Sequence, residues 1–339
     1  MDAGVCFLLN EIALKESTRT GPYRTGARWW ALCAMLFSTA TILTGTDSVL
    51  DAWTVCRYVA FLAAGGRSYS TVKTYLAGVR WIHVSKGMPD PTAYPLVRKC
   101  LHAAKRILRT GAKPKRAITN TLLRALRGTF DLAIKIDLTI WACILLAFAC
   151  LLRGSEYAWK GGEWNPEAGL TRGDVVFYFA PEGDHRHPTG MAVNIKAAKT
   201  DPYRYGVVFR VVRTGGPLCA VDMLWAYVQL DPSLPPSAPL FSVEGAPLKY
   251  KRVHDRIRRA CASIGLDPKE YGTHSLRSGA CTSLRAAGVA WETVKILGRW
   301  SSDAALRYCQ LHPSDIVDIA TRMQNAPEAT SPSFFSQLN

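Results

Sequence analysis

The chain has 339 residues, 48% of them hydrophobic and 10% aromatic, which is enough for two domains that each bury a core and excludes intrinsic disorder. Its 42 Lys and Arg against 26 Asp and Glu give a formal charge of +16, a bias toward a polyanionic partner and away from small neutral ligands. The most apolar run, Thr139 to Leu152, is shorter than the ~20 residues a bilayer span needs and is bounded by Asp137 and Arg153, so no membrane-spanning helix is expected. Asp2 and the lack of a basic leader predict no signal peptide. The ten cysteines are scattered without a C-x-x-C pair and read as small apolar fillers of a reduced, intracellular protein. Asp184, His185 and His187 lie in a Gly/Pro-bounded loop without the spacing that would complete a metal site, and no metal or other cofactor is expected.

The first hundred or so residues read as helices. Thr46 or Asp47 caps a run to Ala64 that Gly65 and Gly66 stop. Ser68 or Ser70 starts another, with Val72, Tyr75, Leu76, Val79 and Ile82 at helical spacing and Gly87 at its end. The turn M-P-D-P leads into a third, from about Thr92 to Arg109, and together these predict a small helical bundle. From Arg98 to Arg127 there are ten basic residues and no acidic one, a composition suited to a strap along DNA phosphates between two domains. Within it K-P-K-R, residues 113 to 116, also passes as a weak nuclear-localisation signal.

A second domain begins near Ile118. An apolar helix from Asp131 to Leu152 delivers Arg153, Gly154, Ser155 and Glu156 at its end. Strands are expected at about Val175 to Ala180, Met191 to Lys196 and Tyr205 to Val212, where β-branched and aromatic residues lie between Gly/Pro/Asp turns. Helices resume at Cys219 to Gln229 and near Leu248. The second carries Lys249, Lys251, Arg252, Arg256, Arg258 and Arg259 against a single Asp255, and is the candidate for a major-groove element. The stretch from Tyr271 to His312 then predicts three helices. One starts near Thr273 as N-cap and stops near Gly288, one runs from about Trp291 to Leu297 and ends at Gly298, and one starts near Ser302 or Asp303 and carries Arg307 and Tyr308. His274 and Arg277 share a face at the first helix's start, where unpaired N–H groups and the helix dipole favour an anion. Residues after Met323 read as a polar tail with an apolar Phe334-Phe335 pair.

The order H-x-x-R, then G-R-W, then Tyr resembles the C-terminal half of the tyrosine recombinase (phage integrase) family. Upstream, L-L-R-G-S-E resembles that family's first-arginine box, with Arg153 as catalytic arginine and Glu156 as its usual carboxylate companion. I-K-A-A-K-T-D-P-Y-R-Y-G-V-V-F resembles the hairpin presenting the catalytic lysine. Lys199 ranks over Lys196 for that role because it stands five residues before Arg204. Gly298 is followed by Arg299 and Trp300: counting back from the tyrosine favours Arg299 for the sixth active-site position, whereas residue type favours Trp300, the preferred candidate. In the first domain, F-L-A-A-G-G-R-S-Y-S-T-V-K-T-Y-L-A-G-V-R followed by G-M-P-D-P resembles the core-binding domain of eukaryotic mobile-element members such as DIRS-type and Crypton-type recombinases.

The resemblance implies a mainly α fold with a small antiparallel β-sheet: a helical core-binding domain over residues 1–112, an α+β catalytic domain over 113–325, and a tail over 326–339. It also implies site-specific breakage and rejoining of DNA through a covalent 3′-phosphotyrosine, without metal or ATP, by Arg153, Lys199, His274, Arg277, Trp300 and Tyr308. Double-stranded DNA would be the partner of a homo-tetramer without membrane attachment, in the nucleus or, for a prokaryotic chain, the cytoplasm. Candidate DNA contacts are Lys73, Arg80, Lys105, Arg106, Arg109, Lys113, Lys115, Arg116, Lys251, Arg252, Arg256 and Arg259. Two other readings share these residues, a domesticated protein that binds DNA without cutting it and a type IB topoisomerase relaxing supercoils.

Overall fold

The computed structural model describes residues 19–108, 115–182, 186–197, 201 and 203–300, with Arg19 and Thr20 described in their backbone alone. The chain forms two compact units that divide between residues 112 and 113. It is mainly helical with a small antiparallel sheet.

The first unit contains α1 (Arg24–Leu36), α2 (Ser48–Ala64), α3 (Tyr69–Ser85) and α4 (Pro95–Leu108). Its helix starts follow from local chemistry. The Asp47 carboxylate accepts from Val49 N and Leu50 N at 3.0 and 2.9 Å, and Ser68 Oγ accepts from Thr71 N at 3.2 Å, so unpaired N–H groups at both starts find side-chain oxygens. α4 begins at Pro95, later than the Thr92 expected, because proline's missing N–H costs nothing in the first helical turn. α1 packs on α3 and α2 on α4. Their shared core holds Trp30, Val55, Tyr58, Val59, Leu62, Val72, Leu76, Val79 and Val97, each large apolar side chain contributing about 1.5–3 kcal/mol by leaving water. His83 is fully buried inside it: Leu43 N donates to Nε2 at 2.9 Å, which leaves Nδ1–H to donate to Val79 O at 2.8 Å.

The second unit runs through α5 (Asn120–Arg127), α6 (Lys135–Ala149), α7 (Gly154–Tyr157), β1 (Val175–Tyr178), β2 (Gly190–Ile195), β3 (Val207–Val212), α8 (Ala220–Val228), β4 (Ser242–Val243), β5 (Ala246–Pro247), α9 (Tyr250–Ser263), α10 (Thr273–Ala286) and α11 (Trp291–Gly298). At its centre is α6, whose Trp141, Ile144, Leu145 and Leu146 are buried and which packs against α8, α9 and α10. α6 is shorter at both ends than the Asp131–Leu152 expected. Residues 131–134 form a turn instead, held by Asp131 N donating to Asp137 Oδ2 at 3.1 Å, and Leu151 at φ 47° turns the chain out of the helix.

The three strands lie in the order β1-β2-β3, both pairs antiparallel, with Val175 opposite Val193 and Val193 opposite Phe209. β1 and β3 alternate between covered and exposed positions, whereas central β2 is buried at nearly every residue. Val175, Phe177, Val207 and Phe209 turn toward the helical core, fixing the sheet beside α8. The two-residue strands β4 and β5 are joined by Glu244 and Gly245, both at positive φ, as a tight hairpin requires. Among the described residues no helix is long and apolar enough to cross a membrane.

Candidate active site

Three chain segments meet at one end of α6, and each presents a residue singled out by the sequence. The first is the turn after α6. Arg153 is the N-cap residue of α7, and Glu156 reaches back to it: Oε2 accepts from the Arg153 backbone N–H at 2.8 Å and Oε1 from Arg153 Nη1 at 3.1 Å. The Glu156 side chain is 1% exposed and that of Arg153 18%, so the carboxylate is enclosed while the guanidinium keeps an open edge.

The second segment is the start of α10. Gly272, not Thr273, is its N-cap, and Gly272 N–H donates to Ser275 Oγ at 3.1 Å. Thr273 is instead the first helical residue. It is buried, and its hydroxyl donates to Tyr250 Oη at 2.5 Å, a partner across the fold that outcompetes the capping role. Next comes His274, which keeps contact with solvent while protein surrounds part of its ring. One turn further, Arg277 is 1% exposed; its Nη1 donates to Leu151 O and its Nη2 to Gly298 O. Those two carbonyls tie the α10 guanidinium to the turn that carries Arg153 and to the end of α11.

At that end lies the third segment. Arg299 takes a left-handed conformation (φ 55°, ψ 47°), and Trp300 N donates to Lys295 O at 3.0 Å, which folds the chain back over α11. The indole of Trp300 then covers Gly298 so closely that a Cβ there would overlap the ring, and it lies 4.4 Å from the Arg277 guanidinium carbon as a cation–π pair. Arg299 turns the other way: its Nη2 donates to Glu156 Oε2 at 2.7 Å and its guanidinium lies 5.1 Å from the Phe209 ring. The two candidates for one position thus occupy different places, Trp300 against Arg277 and Arg299 against Glu156.

Tyr250, the first residue of α9, holds the first two segments in register, and sequence reasoning missed it. Its ring packs against Gly154, where a Cβ would collide with it, and its hydroxyl receives the Thr273 bond. Tyr250 N donates to Trp159 O at 2.8 Å, and His254 stacks on the ring at 6.1 Å. The glycine directly after Arg153 is the signal that a bulky group approaches there.

Arg153, His274, Arg277 and Trp300 are therefore brought together, whereas Lys199 and Tyr308 lie outside the described residues, as do Arg307, the helix expected near Ser302, the Phe334-Phe335 pair, Asp184 and His185. Desolvation by the protein around its ring, then the charges of Arg277 and Arg153, push the His274 imidazole below its ordinary value of 6.5, which favours the neutral, proton-accepting form. Lys196 forms a 2.8 Å ion pair with buried Asp174 and also donates to Pro166 O at 2.6 Å, bonds that use it to hold the loop before β1.

Among the DNA-contact candidates, Lys73, Arg80, Lys105 and Arg106 are exposed on the first unit, Arg80 paired with Asp90 at 3.1 Å. On the second unit Arg252 and Arg259 are exposed, as is Lys251, which pairs with Asp255 at 2.6 Å. The Lys115 ammonium donates to Lys269 O and Arg116 pairs with Glu270 at 3.0 Å, so both hold the chain to the segment before α10. Arg109 and Lys113 lie outside the described residues. Arg256 corrects the expected basic face. It donates to both Asp137 oxygens at 2.9 and 2.8 Å, stacks 3.8 Å from the Phe130 ring, and holds the Asp137 carboxyl below the usual range. Its side chain is 13% exposed, because the acid and the ring of the α6 start claim it.

No family model and no curated protein matches the chain. Solved structures do. The XerH site-specific recombinase bound to palindromic difH substrate in a post-cleavage complex aligns with a TM-score of 0.58 at 13% identity, over 88% of this chain and 76% of that one. The Tn1549 transposon integrase (residues 82–397, Y379F) in complex with transposon right end DNA aligns at 0.51 and 14%, over 80% and 85%. XerH in its pre-cleavage complex with difH aligns at 0.50 and 16%, over 82% and 70%. Likeness at such identity establishes the fold, which this chain shares with those recombinases over most of its length. It does not single out DIRS-type or Crypton-type members.

Proposed function

We propose that this chain, folded as the tyrosine recombinases are, is a site-specific DNA recombinase that breaks and rejoins duplex DNA through a covalent 3′-phosphotyrosine link. The observation that carries the reading is the anchoring of Arg277 to Leu151 O and Gly298 O, beside the turn that carries Arg153 and against the Trp300 ring. A phosphodiester under in-line attack gains charge on its equatorial oxygens, and two guanidinium forks match that charge and cannot lose their own. Arg153 takes this role with the open edge of its fork, while Arg277, whose Nη1 and Nη2 already donate to Leu151 O and Gly298 O, contributes its fixed positive charge. The Trp300 ring lies over the Arg277 guanidinium, and an indole N–H is a donor of the kind a phosphate oxygen accepts from.

Tyr308 is the nucleophile. Its phenol oxygen forms a bond to phosphorus as the bond from phosphorus to the 5′-oxygen breaks. The phenol's proton passes to His274, whose neutral imidazole accepts it, and Lys199 protonates the departing 5′-oxygen. Attack by a 5′-hydroxyl from another duplex reverses these steps, restores the phosphodiester and frees Tyr308, so neither ATP nor metal enters the balance. Exchange between two duplexes requires four such cuts, hence a homo-tetramer on double-stranded DNA, acting in the nucleus or, in a prokaryote, the cytoplasm. The exposed bases, Lys73, Lys105 and Arg106 on one unit and Arg252 and Arg259 on the other, supply contacts to the DNA backbone.

The test starts from a random-sequence duplex pool, from which the full chain selects its site. A selected duplex is then nicked so that a cut strand diffuses away. The wild type is expected to form a detergent-stable DNA adduct that Tyr308→Phe does not form. An adduct that survives this substitution assigns the nucleophile elsewhere, and strong salt-sensitive binding with no wild-type adduct would leave a DNA-binding protein that does not cut.

A further inference from the structure

Arg299 holds a conformation that a residue with a side chain enters only at a cost, and glycine is the usual occupant after a helix end. Its guanidinium is poorly served by hydrogen bonds: among the described residues Nε and Nη1 are buried without a partner, and only Nη2 is bonded, to Glu156. An arginine that is strained in its backbone and short of acceptors must be held for what its one bond does.

That bond ends on a carboxylate already shared with Arg153. Glu156 accepts from Arg153 N, Arg153 Nη1 and Arg299 Nη2, and its side chain is 1% exposed, so little solvent reaches the carboxylate that both guanidiniums share. With Arg153 alone, the buried Glu156 would cancel the charge of the guanidinium it orients. With Arg299 as a second partner the cluster carries one net positive charge, and Arg153 stays oriented without being neutralised.

We infer that Arg299 is a positioning residue of charge: it balances Glu156 so that Arg153 keeps its positive charge for an anionic phosphodiester. This rests on the recombinase reading above and extends it from the groups that touch the phosphate to one that acts through Glu156.

The experiment uses the full chain and the selected, nicked duplex, with adduct formation followed in single turnovers. Arg299→Gly is the leading variant because glycine fits the left-handed backbone and so offsets part of the stability lost with the Glu156 bond, while adduct formation is expected to slow ~10-fold to 100-fold. Adding Glu156→Gln to Arg299→Gly removes the carboxylate's charge but keeps an oxygen for Arg153 N–H, and is expected to recover most of the lost rate. Arg299→Lys, which keeps the charge, is expected to lie near wild type. If the wild type forms adduct and Arg299→Gly matches its rate, or the double variant is no faster than Arg299→Gly, the inference is overturned and the recombinase reading stands. If the wild type forms no adduct, both fall. A lower melting temperature in Arg299→Gly, with the rate loss unrelieved by Glu156→Gln, assigns Arg299 to the packing of α11 instead and overturns the inference as well.

Discussion

The second unit holds two sets of cations that a charge count treats alike. Arg153, Arg256, Arg277 and Arg299 are largely enclosed and each is bonded to named oxygens: Glu156 for two of them, Asp137 for the third, two backbone carbonyls for Arg277. Lys251, Arg252 and Arg259 stand exposed along α9. The difference is one of precision. A planar guanidinium buried against fixed acceptors is held to one geometry, which suits positioning a reacting group or locking two elements together. An exposed side chain keeps its rotamers and acts through its charge, within about a Debye length of ~8 Å at physiological salt.

The comparison breaks most visibly if the guanidinium of Arg277, held by two fixed carbonyls, can be exchanged for a flexible cation. Arg277→Lys keeps the charge but cannot reach Leu151 O and Gly298 O with one planar fork, so adduct formation is expected to fall ~1,000-fold while the dissociation constant for the selected duplex changes little. Single-turnover cleavage beside a binding titration reads both, and a rate within about tenfold of wild type would mean that charge alone suffices there. Arg256→Ala tests a buried member that sits away from the site. Removing it leaves Asp137 enclosed without its partner and uncovers Phe130, for an expected loss of about 3 kcal/mol in urea unfolding and no loss of DNA affinity.

Arg256 also shows where the sequence stops being readable. Its spacing from Arg252 and Arg259 puts all three on one helical stripe, and nothing local says that Asp137 and Phe130, more than a hundred residues earlier, will claim the middle one. Features decided within a few residues were legible: the helix starts, narrowed to Thr46 or Asp47 and to Ser68 or Ser70, the stop at Gly288 after α10, and the three strands, from their β-branched and aromatic residues between turns. That Arg153, His274, Arg277 and Trp300 belong to one region was suggested by their order. What holds that region together was not legible, because Tyr250 on Gly154, Arg299 on Glu156 and Thr273 on Tyr250 are contacts between distant segments, each made by a residue type with no local reason to be special.

A smaller effect separates the sets through pH. His274 titrates below 6.5 because it loses water and faces Arg277 and Arg153, so its depressed value lets the unfolded chain bind the proton first. The resulting stability is present in full above 6.5 and is lost as pH falls through the folded value; on the recombinase reading, the acid limb of a cleavage profile is expected in the same window. Arg153→Gln removes one of the repelling charges and is expected to move that limb toward higher pH, whereas Arg252→Ala leaves it in place. Cleavage rates from pH 5 to 8 compare the two variants, and an equal shift in both would mean that the surface charges reach the imidazole as strongly as the buried ones.

The smallest change is expected on the exposed stripe of α9. Each neutralised phosphate releases condensed counterions, so a side chain that contacts the DNA backbone adds ~0.9 to the slope of log affinity against log salt. Arg252→Ala and Arg259→Ala are each expected to lower that slope by about this amount, with little change in the melting temperature or in the cleavage rate at saturating DNA, because both side chains are exposed. Titrations at several salt concentrations measure it. If Arg256→Ala lowers the slope just as they do, then Arg256 leaves Asp137 when DNA binds, and the boundary between the two sets of cations is a property of the free protein alone.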